Sequence, residues 1–109
     1  MKTIQPGILD EVVRRLVEEF DPEEIILFGS HAWGTPDEDS DLDLFVILSQ
    51  SAESAIERAQ RAHGCLAGLG VPKDVLVRTR AEVERRREVY ASLECEVLER
   101  GKVLYERQT

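Results

Sequence analysis

The chain has 109 residues, enough for one domain with a single core of moderate size. Hydrophobic residues at 42% and charged residues at 33% exclude a disordered chain. A formal net charge of −8 argues against a general nucleic-acid-binding surface, because phosphate backbones are gripped by accumulated Lys and Arg. No apolar run is long enough to span a bilayer and the N-terminal MKTIQPGILDEVV lacks a signal-peptide core, so one cytoplasmic domain over residues 1–109 is expected, with no membrane partner.

Ile8, Leu9, Val12, Val13, Leu16, Val17 and Phe20 recur at helical spacing, with Glu11, Arg14, Arg15, Glu18 and Glu19 opposite, and Asp21-Pro22 should end this first helix. Ile25-Ile26-Leu27-Phe28 is short, apolar and β-branched at its start, as a buried strand is. Gly29 stops it, and Ser30 leads into a short helical turn from His31 to Gly34 in which Trp33 is read as a packing residue. Thr35 to Ser40 is an acidic, turn-rich stretch, read as a solvated loop at the rim of a site. The second strand runs from Asp41 to Leu48. Ala52, Ala55, Ile56, Ala59, Ala62, Leu66 and Leu69 then mark an amphipathic helix whose alanines suit close packing on a sheet. Gly68, Gly70 and Pro72 turn the chain into a third strand, Asp74-Val75-Leu76-Val77. Thr79-Arg80-Ala81-Glu82 has capping-box spacing and opens another helix, whose rhythm runs through Val89, Tyr90, Leu93, Val97 and Leu98, with a break at Ala91-Ser92 left open. Gly101 closes it, and Val103-Leu104-Tyr105 reads as a short edge strand.

The chemistry concentrates between Gly29 and Asp43, in GSHAWGTPDEDSDLD. Glycine lets the backbone turn sharply and approach a ligand, while Ser30 offers a hydroxyl and an N–H at the start of a helical turn, a corner able to hold a phosphate. Side chains two apart on a strand point to one face, so Asp41 and Asp43 project side by side. Two such carboxylates repel each other unless a cation lies between them, and Mg²⁺ is usually held by one or two carboxylates plus substrate phosphates. Asp74, heading the third strand, supplies a third carboxylate if that strand lies beside the second.

Other features have plainer readings. From Lys73 to Arg87 the local balance is basic, which reads as a solvated helix face or as a contact for phosphate or an acidic partner. Cys65 and Cys95 have no zinc-like spacing and are expected as buried reduced thiols, and His63 near Cys65 makes no site.

The constellation resembles the signature of the nucleotidyltransferase superfamily of the DNA polymerase beta type, and the small size points to its minimal nucleotidyltransferase (MNT) branch. The resemblance spans nearly the whole chain: a leading helix, the strand ending in Gly29-Ser30, Gly34, Ser40-Asp41-Leu42-Asp43, a helix, the strand opening at Asp74, and Gly101-Lys102-Val103-Leu104-Tyr105. His31 departs from it, since many members carry a basic or small residue there. The resemblance implies an α+β nucleotidyltransferase fold, a small mixed β-sheet with helices packed mainly on one face. It further implies transfer of AMP from ATP with two Mg²⁺ ions, or Mn²⁺ in their place. Asp41 and Asp43 would coordinate both ions, Asp74 would bind the second and orient or deprotonate the acceptor, and Gly29 and Ser30 would hold the nucleotide. Related folds hold their acceptors on an additional domain, so another chain is expected to supply it, in a homo- or hetero-oligomer. MNT members resemble antitoxins paired with HEPN-family toxins, the acceptor being a toxin tyrosine. An antitoxin that neutralises its toxin by binding alone is the alternative.

Overall fold

The computed structural model describes residues 6–34, 41–89 and 92–108. The elements run α1 (Pro6–Phe20), β1 (Glu24–Phe28), α2 (Ser30–Trp33), β2 (Leu42–Leu48), α3 (Ala55–Cys65), β3 (Lys73–Thr79), α4 (Arg80–Arg86), α5 (Leu93–Arg100) and β4 (Lys102–Glu106). The strands form one mixed sheet in the order β3-β2-β1-β4. β1 is antiparallel to both its neighbours, whereas β2 and β3 are parallel, so α3 is the crossover that parallel neighbours require.

β2 is the spine of the molecule. Its alternation sends Leu44, Val46 and Leu48 to a core shared with Val12 and Leu16 of α1 and Ala62 and Leu66 of α3. Phe45 and Ile47 face the other way, onto Val83 of α4 and Val97 of α5. Helices lie mainly on one face, as the resemblance implies, with α1 and α3, the two longest, packed there and the shorter α4 and α5 covering the second face. Among the described residues no helix is long and apolar enough to cross a membrane.

Local chemistry sets the boundaries. After α1, Asp21 takes a left-handed φ of 46°, tolerable for Asp, and donates its N–H to the Val17 carbonyl at 2.9 Å before Pro22 prevents continuation. α3 starts later than its apolar rhythm because Ser54 caps it. The Ser54 hydroxyl accepts from the Glu57 N–H at 3.2 Å, and the Glu57 carboxylate accepts from the Ser54 N–H at 3.0 Å, which leaves Ala52 outside the helix. The box anticipated at Thr79 forms with Glu82 at 2.8 and 3.2 Å. The long rhythm beyond it divides into α4 and α5, with Ser92 capping the latter by accepting from the Cys95 N–H at 3.1 Å. Tyr90 and Ala91 lie outside the described residues.

Arg58 is buried: its guanidinium donates to the Glu82 carboxylate at 2.9 and 3.2 Å and to the carbonyls of Val77 and Glu53 at 2.9 and 3.1 Å, fastening α3 to β3 and α4. That guanidinium holds the Glu82 carboxyl down to about 2. The basic stretch is largely committed within the chain, Arg80 to Glu23 and Glu24, Arg78 and Arg86 to Glu94, and Arg87 to Glu84. Both cysteines are free, as expected, yet half-buried rather than buried.

Candidate functional site

Strand register assembles one end of the sheet. The antiparallel register sets Phe28 opposite Asp43, and the parallel register sets Asp43 opposite Asp74. Phe28, Asp43 and Asp74 therefore lie in a row across three strands, and Gly29 leaves β1 one residue beyond that row. Asp41 immediately precedes β2 and is exposed, as is Asp74, while Asp43 is half-buried.

Gly29 is fixed by its backbone and by its neighbour. Its φ of 77° with ψ of −156° falls in a region open essentially to glycine alone. A Cβ built there would overlap the Asp43 Oδ2 and stand 3.0 Å from its Cγ. The corner therefore lays bare backbone directly against the Asp43 carboxylate. The Gly29 carbonyl accepts from the N–H groups of Ala32 and Trp33, each at 3.0 Å, and the Ser30 carbonyl accepts from Gly34 at 3.1 Å, which closes a single helical turn headed by the Ser30 hydroxyl. Gly34 is also a close approach, since a Cβ there would lie 3.0 Å from the Ser30 Cα. Trp33 packs as expected, its ring centroid 6.3 Å from that of Phe28. Sequence reasoning missed its second neighbour, the Arg100 guanidinium, 4.7 Å from the indole centroid. The only signal for it is Gly101, which marks where α5 turns in toward the sheet. Thr35 to Ser40, read as the rim loop, lies outside the described residues.

Burial pushes the Asp43 carboxyl above its ordinary range, the carboxylates of Asp74 and Asp41 push it further, and His31 opposes them. A half-buried carboxylate facing two others gains most from a cation. Among the described residues no group of three or more His, Cys, Asp or Glu is placed to hold a metal ion, Asp41, Asp43 and Asp74 included. Mg²⁺ does not need one, because it takes one or two carboxylates and completes its shell with substrate phosphates and water. The all-oxygen donor set of Asp41, Asp43 and Asp74 beside a backbone corner fits that chemistry.

A family model described as nucleotidyltransferase domain matches residues 9–104. No curated protein matches the chain at a significant level. Similar solved structures include a Sulfolobus solfataricus protein assigned as a nucleotidyltransferase, 20% identical with a TM-score of 0.66, the match covering 93% of this chain and 79% of that one. A toxin–antitoxin solved with AMP-PNP is 24% identical with a TM-score of 0.58, over 92% and 74% of the two chains. A mutant of the toxin–antitoxin MntA-HpeT is 19% identical with a TM-score of 0.59, again over 92% and 74%. At these identities the likeness is one of fold.

Proposed function

Because this chain belongs to the nucleotidyltransferase domain family, we propose that it is a minimal nucleotidyltransferase that moves AMP from ATP to a hydroxyl on a partner protein and serves as an antitoxin. The observation that carries the reading is the seat of Asp43, pressed on the bare backbone of Gly29 and set opposite Asp74, with its proton affinity raised by both burial and neighbouring charge.

Each residue then has a role. Asp41 and Asp43 hold the divalent ions, and Gly29 lets the triphosphate approach the backbone while the Ser30 hydroxyl donates to its terminal phosphates. Mg²⁺ or Mn²⁺ held there with the nucleotide would supply positive charge for the departing pyrophosphate and would lower the pKa of the attacking hydroxyl. Asp74 orients that hydroxyl and takes its proton as the new oxygen bond to the α-phosphorus forms. The bond from the α-phosphorus to the bridging oxygen breaks, and pyrophosphate leaves.

The partner reading draws on the toxin–antitoxin neighbours and on the charge of −8, which suits a basic protein. The acceptor is a tyrosine hydroxyl of a HEPN-family toxin. Co-expression with such a toxin followed by intact-mass measurement tests it. Additions of AMP mass should appear on the toxin and vanish with Asp41→Asn. A toxin left unmodified yet still suppressed by Asp41→Asn would favour neutralisation by binding alone.

A further inference from the structure

α2 is four residues long and buries none of its side chains, so the core does not by itself fix the corner at Gly29 and Ser30. Trp33 supplies the anchor. It leans on Phe28, which is buried and stands edge-on to Phe45 at 6.2 Å and 78°. The Arg100 guanidinium stands over the same indole. Arg100 is the last residue of α5 and is held from within the helix by the Glu96 carboxylate at 3.4 Å. The helix end reaches β1 because Gly101 has no side chain: a Cβ there would overlap the Ile26 Cγ2 and stand 3.2 Å from the Leu27 carbonyl oxygen. Trp33 follows Ser30 by about one helical turn, so whatever clamps the indole sets where the Ser30 hydroxyl stands.

From this geometry we infer that Arg100 and Trp33 are positioning residues for the triphosphate. The guanidinium, stacked on the indole, holds the α2 corner in place beside Asp43, and it does so without touching the nucleotide. The inference rests on the nucleotide site proposed above. Stacking a cation on a partly exposed indole shifts an equilibrium by about two- to fivefold, which sets the size of the effect to look for.

Calorimetric titration with MgATP is the test. Arg100→Ala should weaken binding by about three- to fivefold, and Arg100→Lys, which keeps a cation over the ring, by less than about twofold. Trp33→Leu should cost at least as much as Arg100→Ala, since it also removes the contact with Phe28, and the double variant no more than Trp33→Leu alone, because the arginine has then nothing left to stack on. Trp33 is the one tryptophan of the chain, so acrylamide quenching of its emission should rise in Arg100→Ala. That readout does not depend on how Trp33→Leu folds. The affinity ratio between wild type and Arg100→Ala should also hold from low to high salt, whereas a direct guanidinium–phosphate contact would shrink it. Additive losses, a salt-sensitive ratio, or unchanged affinity in Arg100→Ala would each overturn the positioning role. Absence of MgATP binding by the wild type is a different result, and it would sink the nucleotide-site reading together with this one.

Discussion

Replacing Gly29 with alanine tests the seat of Asp43 directly. Two costs arise, and they come from different atoms. The backbone at φ 77° and ψ −156° is essentially closed to residues with a Cβ, which costs about 1–3 kcal/mol. The new Cβ also overlaps the Asp43 carboxylate and forces that side chain off its rotamer, adding about 0.5–1.5 kcal/mol. Gly29→Ala should therefore destabilise the fold by about 1.5–4.5 kcal/mol, a large share of the roughly 5–15 kcal/mol that holds a domain of this kind. Urea unfolding reads this as a lower midpoint with an unchanged slope. Adding Asp43→Ala removes the overlap but not the backbone strain, so the double variant should recover about 0.5–1.5 kcal/mol relative to the sum of the singles. A cost in Gly29→Ala below about 0.5 kcal/mol, or strict additivity in the double, would refute the packing of Asp43 on Gly29 and the site built on it.

Asp43→Asn should stabilise the protein at neutral pH by about 0.2–1 kcal/mol, since it removes repulsion from Asp74 across the strand pair, while abolishing transfer. The folded-state pKa of Asp43 lies above the unfolded value, so wild type gains stability as pH falls through it and the advantage of the Asn variant should fade there, as urea midpoints across pH would record. Asp74→Asn should keep most of the MgATP affinity but lose transfer by on the order of 10²-fold, and unchanged turnover would remove Asp74 from the chemistry. Glu82→Gln keeps the helix cap but leaves the buried Arg58 without its counter-charge, at a cost of about 2 kcal/mol, scaled down from a fully buried pair because the Glu82 side chain is 30% exposed. The Glu82 pKa is lowered in the folded state, so this contribution is complete above 4.5 and drains away as pH falls toward about 2. A wild-type lead over Glu82→Gln that is undiminished at about pH 3 would contradict that assignment.

What the sequence makes legible is what local rules decide. Aspartates at the head of an apolar run stand out because charge is rare there, and Gly29, the Thr79 box and Gly101 mark changes of backbone direction that a single residue type can announce. Pairings between distant elements have no such mark. Nothing local says that Asp74 falls opposite Asp43 rather than one residue away, since the register is set by the side-chain alternation of three strands at once. Nothing local marks Arg58 for burial, because its partner Glu82 lies 24 positions later in the chain. Arginines 78, 80 and 86 looked like a surface feature for the same reason, their partners Glu23, Glu24 and Glu94 lying on other elements. Ala52 continued the apolar rhythm of α3, and a cap at Ser54 overrode it.

The central place of β2 has a consequence for how this protein fails. A strand bonded on both edges and packed on both faces belongs to the last unit to open, so its amides should exchange only through global unfolding, whereas those of α2 exchange through small local openings. Asp43 is the second residue of that strand and inherits its permanence. Damage to the core away from the Gly29 corner thus lowers the number of folded molecules in a cell without moving the backbone that carries Asp43 in those that remain. Partial loss of this protein is a loss of dose, and each surviving copy keeps its Asp43 frame intact.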